Sequence, residues 1–203
     1  MSTQAGCGRL VFFLCDVQER FRPLIHRFGD VAAVAETMAR ASALLGVPLV
    51  VTEQYPKALL RTVPEVSAAL RDGSGALLPG VALFEKSSFS MMTTGVNLHL
   101  LAAAPDYETA VLFGIEAHVC VQQTCLDLLA QRKRVLLLVD GISSQARGDR
   151  EVALAHMLAR GAEATTTGSL LFQLLRTAEH PSFKPVSQLV KELLAKGTEL
   201  ALR

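Results

Sequence analysis

Three residues of this sequence stand just after short apolar runs and carry groups that could together make and use a thiolate. Cys120 follows the run Ala110 to Phe113 and the segment Gly114-Ile-Glu-Ala-His-Val, where a helix is expected to open. Free backbone N–H groups and the helix dipole at such a place favour the thiolate, the reactive form of cysteine. Asp16 follows the run Leu10 to Cys15 and could take the thiol proton, and Lys86 stands at the end of a third strand-like segment and could steady the resulting negative charge. Each has a plainer reading by itself: Cys120 as a small packing residue, Asp16 as a strand-end cap, Lys86 as a solvated lysine. Cys125, one turn beyond Cys120, takes the plainer one. An acid, a base and a thiol activate one another only if they converge, so the chemistry depends on what positions them.

The elements that would do so alternate along the chain. Apolar runs without polar alternation suit strands covered on both faces, as in parallel sheets. Six strands are predicted near residues 9–15, 48–53, 81–86, 109–115, 134–140 and 163–167. Between them lie segments with helical spacing. The clearest runs from Asp30, read as an N-cap, through Val31, Val34, Met38, Ala41 and Leu45 to Gly46, with Pro48 beyond. Others begin near Asp149 and end at Gly161, or span Val119 to Gln131 and Val186 to Leu194, while Asp72 to Gly80 reads as a surface loop. This alternation predicts right-handed βαβ crossovers and a three-layer α/β/α sandwich. In such a sheet ligands settle at the carboxyl ends of the strands. Asp16, Glu53, Gln54, Lys86, Glu116 to Cys120 and Asp140 should therefore share one edge.

Composition narrows the class. With 203 residues, 50% of them hydrophobic, one domain spanning 1–203 is expected, and no internal repeat or long linker divides it. Lysine and arginine total 20 against 19 acidic residues, which offers no broad field for a polyanion, so a nucleic-acid partner is not expected. The basic cluster Arg132, Lys133 and Arg134 reads as a solvated turn. The four cysteines, Cys7, Cys15, Cys120 and Cys125, show no CxxC spacing, which argues against a zinc or redox motif of that kind. No secretory leader and no membrane span are read, and a reducing, cytoplasmic setting is expected. The apolar surplus points to a homo-oligomer.

The motifs resemble those of a known family, the isochorismatase-like hydrolases, and in particular the eukaryotic isochorismatase-domain-containing proteins. Phe13-Leu-Cys-Asp-Val-Gln-Glu-Arg-Phe21 resembles the first motif, with Asp16 at the catalytic aspartate; Glu85-Lys-Ser-Ser-Phe89 resembles the second, with Lys86 at its lysine. Gly114-Ile-Glu-Ala-His-Val-Cys-Val121 resembles the third, with Cys120 as nucleophile. The resemblance extends from about Leu10 to Lys191, including Val139-Asp-Gly-Ile-Ser-Ser144. It implies a Rossmann-like, mostly parallel six-stranded sheet in the order 3-2-1-4-5-6. It also implies a cis peptide between Ile115 and Glu116, and an oxyanion hole from backbone N–H groups of Glu116 and Cys120.

The implied reaction is hydrolysis of a small molecule of amide, carbamoyl or vinyl-ether type through a covalent intermediate on Cys120, with no cofactor. The other class of reading is a catalytically silent scaffold acting through protein partners. Nicotinamidases of the same superfamily carry an Asp-x-His metal motif after the second strand. This sequence has Thr52-Glu-Gln-Tyr-Pro56 there, and no histidine between His26 and His99, so no metal is expected. Glu53, Gln54, Tyr55 and Phe89 are the candidate substrate-binding residues. His118 is read as a capping or solvent-facing residue.

Overall fold

The run Leu10–Cys15 has no polar residue to turn toward water, so a strand made from it needs cover on both faces. In the computed structural model, which describes residues 9–197, it is the strand β1 and all six of its residues are buried. β1 lies inside a six-stranded sheet with β2 (Leu49–Gln54), β3 (Val81–Lys86), β4 (Thr109–Ile115), β5 (Arg134–Ser143) and β6 (Glu163–Thr165). The order is β3-β2-β1-β4-β5-β6 and every pair is parallel. Burial follows position: β4 is buried throughout, whereas in the edge strand β3 Val81 to Phe84 are half-buried, Glu85 is exposed and only Lys86 is buried. The reversal of strand order falls between β1 and β4, where Cys15 is level with Thr52 on one side and Gly114 on the other. The strands match their predicted places, except that β5 runs three residues further and β6 stops two residues earlier.

The helices are α1 (Phe28–Leu45), α2 (Pro56–Leu59), α3 (Pro64–Ala69), α4 (Thr94–Ala103), α5 (Gln122–Ala130), α6 (Arg147–Ala159), α7 (Thr167–Leu175) and α8 (Phe183–Ala195). Helix α1 packs with α3, α7 and α8, and α5 packs with α6, which gives the sheet its two outer layers. Val31, Val34, Ala35, Met38 and Ala41 form the buried stripe of α1. Asp30 is not its cap. The helix begins two residues earlier, and Asp30 sits in the first turn, where a carboxylate suits the dipole and pairs with Arg27 at 2.8 Å. The predicted stop holds: Gly46 has φ 65, and its backbone N–H donates to the Ser42 carbonyl.

Residues 72–80 form a loop folded on Asp72, whose Oδ1 accepts from the backbone N–H groups of Ser74 at 2.9 Å and Ala76 at 3.1 Å. The basic turn is more constrained than its composition suggests. Lys133 Nζ donates to the Tyr107 carbonyl at 2.7 Å and lies over its ring, and Arg134 pairs with Glu163. Among the described residues no helix is long and apolar enough to cross a membrane.

Candidate active site

Three non-glycine residues at the carboxyl ends of neighbouring strands have left-handed backbone: Asp16 after β1 at φ 54, Tyr55 after β2 at φ 34 and Glu116 after β4 at φ 57. Such conformations cost on the order of 1–3 kcal/mol each and tend to gather where side chains must be aimed. At Asp16 the effect is direct. Consecutive residues of a regular strand point to opposite faces, yet Cys15 Sγ lies 3.4 Å from Asp16 Oδ2. The left-handed residue breaks the alternation and turns both groups into one cluster.

Asp16 is 1% exposed, and both its oxygens are held. Oδ1 accepts from Thr52 Oγ1 at 2.7 Å, and Oδ2 accepts from Lys86 Nζ at 2.6 Å. Lys86, its side chain fully buried, also donates to Gln54 Oε1 at 2.7 Å and to the Phe89 carbonyl at 2.9 Å, with the Ser88 carbonyl at 3.2 Å. Burial alone would lower the lysine pKa, but the neighbouring acidic groups of Cys15, Asp16 and Cys120 outweigh it and raise the value, so Lys86 stays an ammonium. Cys120 completes the group: its Sγ, Cys15 Sγ and a carboxylate oxygen of Asp16 all lie within 4.8 Å of one another. That spacing would also suit a metal, but the Lys86 ammonium already holds the Asp16 oxygen.

Cys120 does not lie in the first turn of an ordinary α-helix. It sits in a π-helical turn, Ala117–Val121, which leads into α5. The wide turn is closed by Val119 N–H and Val121 N–H donating to the Glu116 carbonyl at 3.0 and 3.2 Å, a local rearrangement often found at functional sites. Thr124 Oγ1 donates to the Cys120 carbonyl at 2.7 Å and accepts from Met91 N–H at 2.9 Å, tying the turn to the segment after Lys86. The expected cis peptide between Ile115 and Glu116 is absent, and among the described residues no peptide bond is cis. The left-handed Glu116 makes the sharp turn instead.

Cys120 lies at a cavity of about 580 Å³ whose wall includes Gln54, Tyr55, Phe89 and Glu116. Three of the four predicted substrate residues, Gln54, Tyr55 and Phe89, are thus brought to it. Glu53 is not. It is buried behind the wall, accepting from Thr62 N–H at 2.7 Å and from Arg61 Nη1 at 2.8 Å, and so fastens the loop after α2. Asp140 also leaves the cluster; it lies within β5 and accepts from Thr167 N–H at the start of α7. His118 is not a cap; its side chain is 36% exposed, as a solvent-facing residue would be, and its Nδ1 lies 3.0 Å from Ser144 Oγ.

Sequence reading missed Thr52 and Cys15 as parts of the cluster, and Phe21, Ala58, Leu59, Ser87 and Val119 as parts of the wall. Thr52 could have been found, being the register partner of Cys15 one position before Asp16. Cys15 could not, because its apolar neighbours gave it the signature of a core residue. Cys7 lies outside the described residues.

Comparison with known proteins agrees with the geometry. Residues 11–169 match the isochorismatase domain. The chain is 44% identical over 181 residues to isochorismatase domain-containing protein 1 of Salmo salar, covering 89% of this chain but only 60% of that protein. It is 43% identical to the secreted isochorismatase effector Isc1 of Phytophthora sojae, over 91% of this chain and 85% of the relative. A solved structure of the MAR1 ribonuclease from Caenorhabditis elegans superposes with a TM-score of 0.85 at 33% identity, covering 96% of this chain and 94% of the other. With the parallel 3-2-1-4-5-6 sheet and the domain matched from β1 into α7, the chain belongs to the isochorismatase family and has its hydrolase fold.

Proposed function

We propose that the chain, as one domain over residues 1–203, is a cysteine hydrolase of a small molecule of amide, carbamoyl or vinyl-ether type. The observation that carries this reading is the buried Lys86–Asp16 pair, 2.6 Å apart, in one cluster with the thiol of Cys120, which lines a cavity. Asp16 takes the proton from Cys120, and Lys86 holds Asp16 in place and favours the thiolate. The sulfur attacks the electrophilic carbon, and water later releases the covalent intermediate. Charge developing on the substrate oxygen is met by backbone N–H groups of Glu116 and Cys120 beyond Ile115; one such donor contributes about 10²- to 10³-fold to rate. Gln54, Tyr55 and Phe89 form the substrate wall. No metal or other cofactor enters the reaction.

Two kinds of labelling test it. Iodoacetamide should alkylate Cys120 faster than Cys15 or Cys125, both fully buried, by a margin of about 10-fold or more. Mass spectrometry after incubation with a panel of amides, carbamoyl compounds and vinyl ethers should find an adduct on Cys120, and Cys120→Ala should remove it. Asp16→Ala should abolish turnover while leaving alkylation intact or faster, because a neighbouring carboxylate opposes a second negative charge. A Cys120 as inert as Cys125 would sink the nucleophile assignment and favour a silent scaffold working through partners.

The ribonuclease name of the Caenorhabditis elegans relative favours a second reading, a nucleic-acid substrate. The net charge of +1 and a cavity wall with one acidic and no basic residue among the described ones speak against it. A steep salt-dependent gel shift would establish it. Cytoplasmic residence, without a membrane partner, is the setting proposed for three unpaired cysteines, Cys15, Cys120 and Cys125. Self-association is proposed from Leu98 and Leu101 on α4 and Val152 on α6, which are 61%, 68% and 71% exposed. Sedimentation at micromolar concentration should show a dimer or larger species, and a monomer alone would refute it.

A further inference from the structure

The buried Cys15 thiol has no task in the proposed hydrolysis, yet its sulfur lies within 4.8 Å of Cys120 Sγ and 3.4 Å from Asp16 Oδ2. We propose that Cys15 and Cys120 form a dithiol site that small hydroperoxides oxidise to a disulfide, with Asp16 carrying the proton for each sulfur in turn. The proposal rests on the reading of Cys120 as the reactive thiol.

The two sulfurs are placed for different parts. Cys120 lines the cavity, so a hydroperoxide can reach it, whereas Cys15 is fully buried at the end of β1. Burial pushes the Cys15 thiol well up, and its contact with Cys120 and the charge on Asp16 push it further, with Lys86 opposing. Cys15 therefore stays protonated and is not the first to react. Cys125 gives the contrast: equally buried and pushed up to about 12 by burial, it lies outside the cluster of Cys15, Asp16 and Cys120.

The chemistry balances without any further reagent. Cys120 passes its proton to Asp16, and its sulfur attacks the terminal peroxide oxygen. The S–O bond forms as the O–O bond breaks, and the departing alkoxide takes the proton back as an alcohol (as water, for hydrogen peroxide). Cys120 is now a sulfenic acid, oxidised by two electrons while the peroxide is reduced by two. Cys15 then gives its proton to Asp16 and attacks the Cys120 sulfur. The S–S bond forms, the S–O bond breaks, and hydroxide leaves as water with that proton. Two thiols and one hydroperoxide become a disulfide, an alcohol and a water, and Asp16 returns to its starting state. Closing the sulfurs to the bonded distance of about 2 Å needs side-chain rotation and a small shift of the π-helical turn.

The test uses the reduced full chain exposed to a small excess of hydrogen peroxide, blocked with N-ethylmaleimide and digested without reductant. A peptide linking Cys15 to Cys120 is expected, with two of the four thiols lost to alkylation, a mass decrease of about 2 Da before blocking, and full reversal by dithiothreitol. In Cys15→Ala the link cannot form, and Cys120 should pass to the sulfinic acid, about 32 Da heavier and not recovered by dithiothreitol. The wild-type peptide map decides the matter even if that variant folds poorly. Sulfinic acid on Cys120 of the wild type, or links to Cys7 or Cys125 in place of Cys15, would overturn the proposal. An unoxidised sample treated with iodoacetamide separates the two readings. If Cys120 alkylates and overoxidises without a link, the dithiol site fails and the nucleophile stands; if it neither alkylates nor oxidises, both fail.

Discussion

Lys86→Ala is expected to lose about 3–5 kcal/mol of stability, far more than an ordinary lysine substitution, because it strands the Asp16 carboxylate in the core. The two side chains are 0% and 2% exposed, so water cannot take over the role of the ammonium. Gln54 Oε1 and the Phe89 carbonyl lose a donor at the same time, which loosens the segment beside the cavity. The same variant should slow alkylation of Cys120 at neutral pH, since the positive charge that favours its thiolate is gone. The double variant Asp16→Asn with Lys86→Met removes both charges and should be more stable than Lys86→Met alone, with a coupling of about 1–3 kcal/mol in the double-mutant cycle through Asp16→Asn and Lys86→Met. Because the folded-state pKa of Lys86 is raised, its contribution is complete below the unfolded value near 10.4 and is lost only as pH climbs through the folded one. Lys86 should therefore add no pH dependence to stability between about pH 6 and 9. Chemical denaturation at two pH values reads both effects, and a Lys86→Ala protein as stable as wild type would mean that the pair is not buried in solution.

The frame of this site could be read in the sequence because it depends on polarity and order. Unbroken apolar runs such as Leu10–Cys15 and Ala110–Phe113 suit strands covered on both faces, and the polar residues that follow them emerge at one edge. That brought Asp16, Lys86 and Cys120 together. What could not be read was backbone conformation at that edge. Nothing in the composition marks Glu116 for left-handed φ, and an aspartate at position 16 is only a weak signal beside the glycine that usually advertises it. Without that kink Cys15 belongs to the opposite face, as alternation predicts, and its apolar neighbours give it the signature of a core residue. Glu53 failed in the opposite sense: a carboxylate at a strand end looks like a ligand group, but its position is explained by Arg61 and Thr62, on a loop that sequence patterning cannot orient.

Gly114→Ala is expected to disrupt the site and the sheet together. Gly114 lies near the end of β4 with φ 134, a conformation that alanine avoids. Strain is the lesser problem. A Cβ at this position would fall 2.2 Å from the Cys15 carbonyl oxygen and 2.8 Å from Cys15 N and Cβ, so it meets backbone rather than a side chain that could swing away. Relief requires β1 and β4 to separate where they are in register, at Cys15 and Gly114. That register sets Asp16 against Cys120, and the pairing of β4 with β5 already shifts between Leu112 and Gly114. A loss of about 4 kcal/mol or more follows, the range reserved for a buried clash, which in a chain of this size lowers Tm by roughly 8–16 °C. The surviving folded fraction should show slower alkylation of Cys120 and a weakened Cys15–Cys120 link. Gly148→Ala is the control: it lies in the first turn of α6 with nothing within 4 Å of the added carbon, so its effect should stay within about 1 kcal/mol. Calorimetry on the two variants separates a general cost of losing glycine from the specific contact of β4 with Cys15. Equal Tm values for Gly114→Ala and wild type would show that the strands do not approach as closely as the site requires.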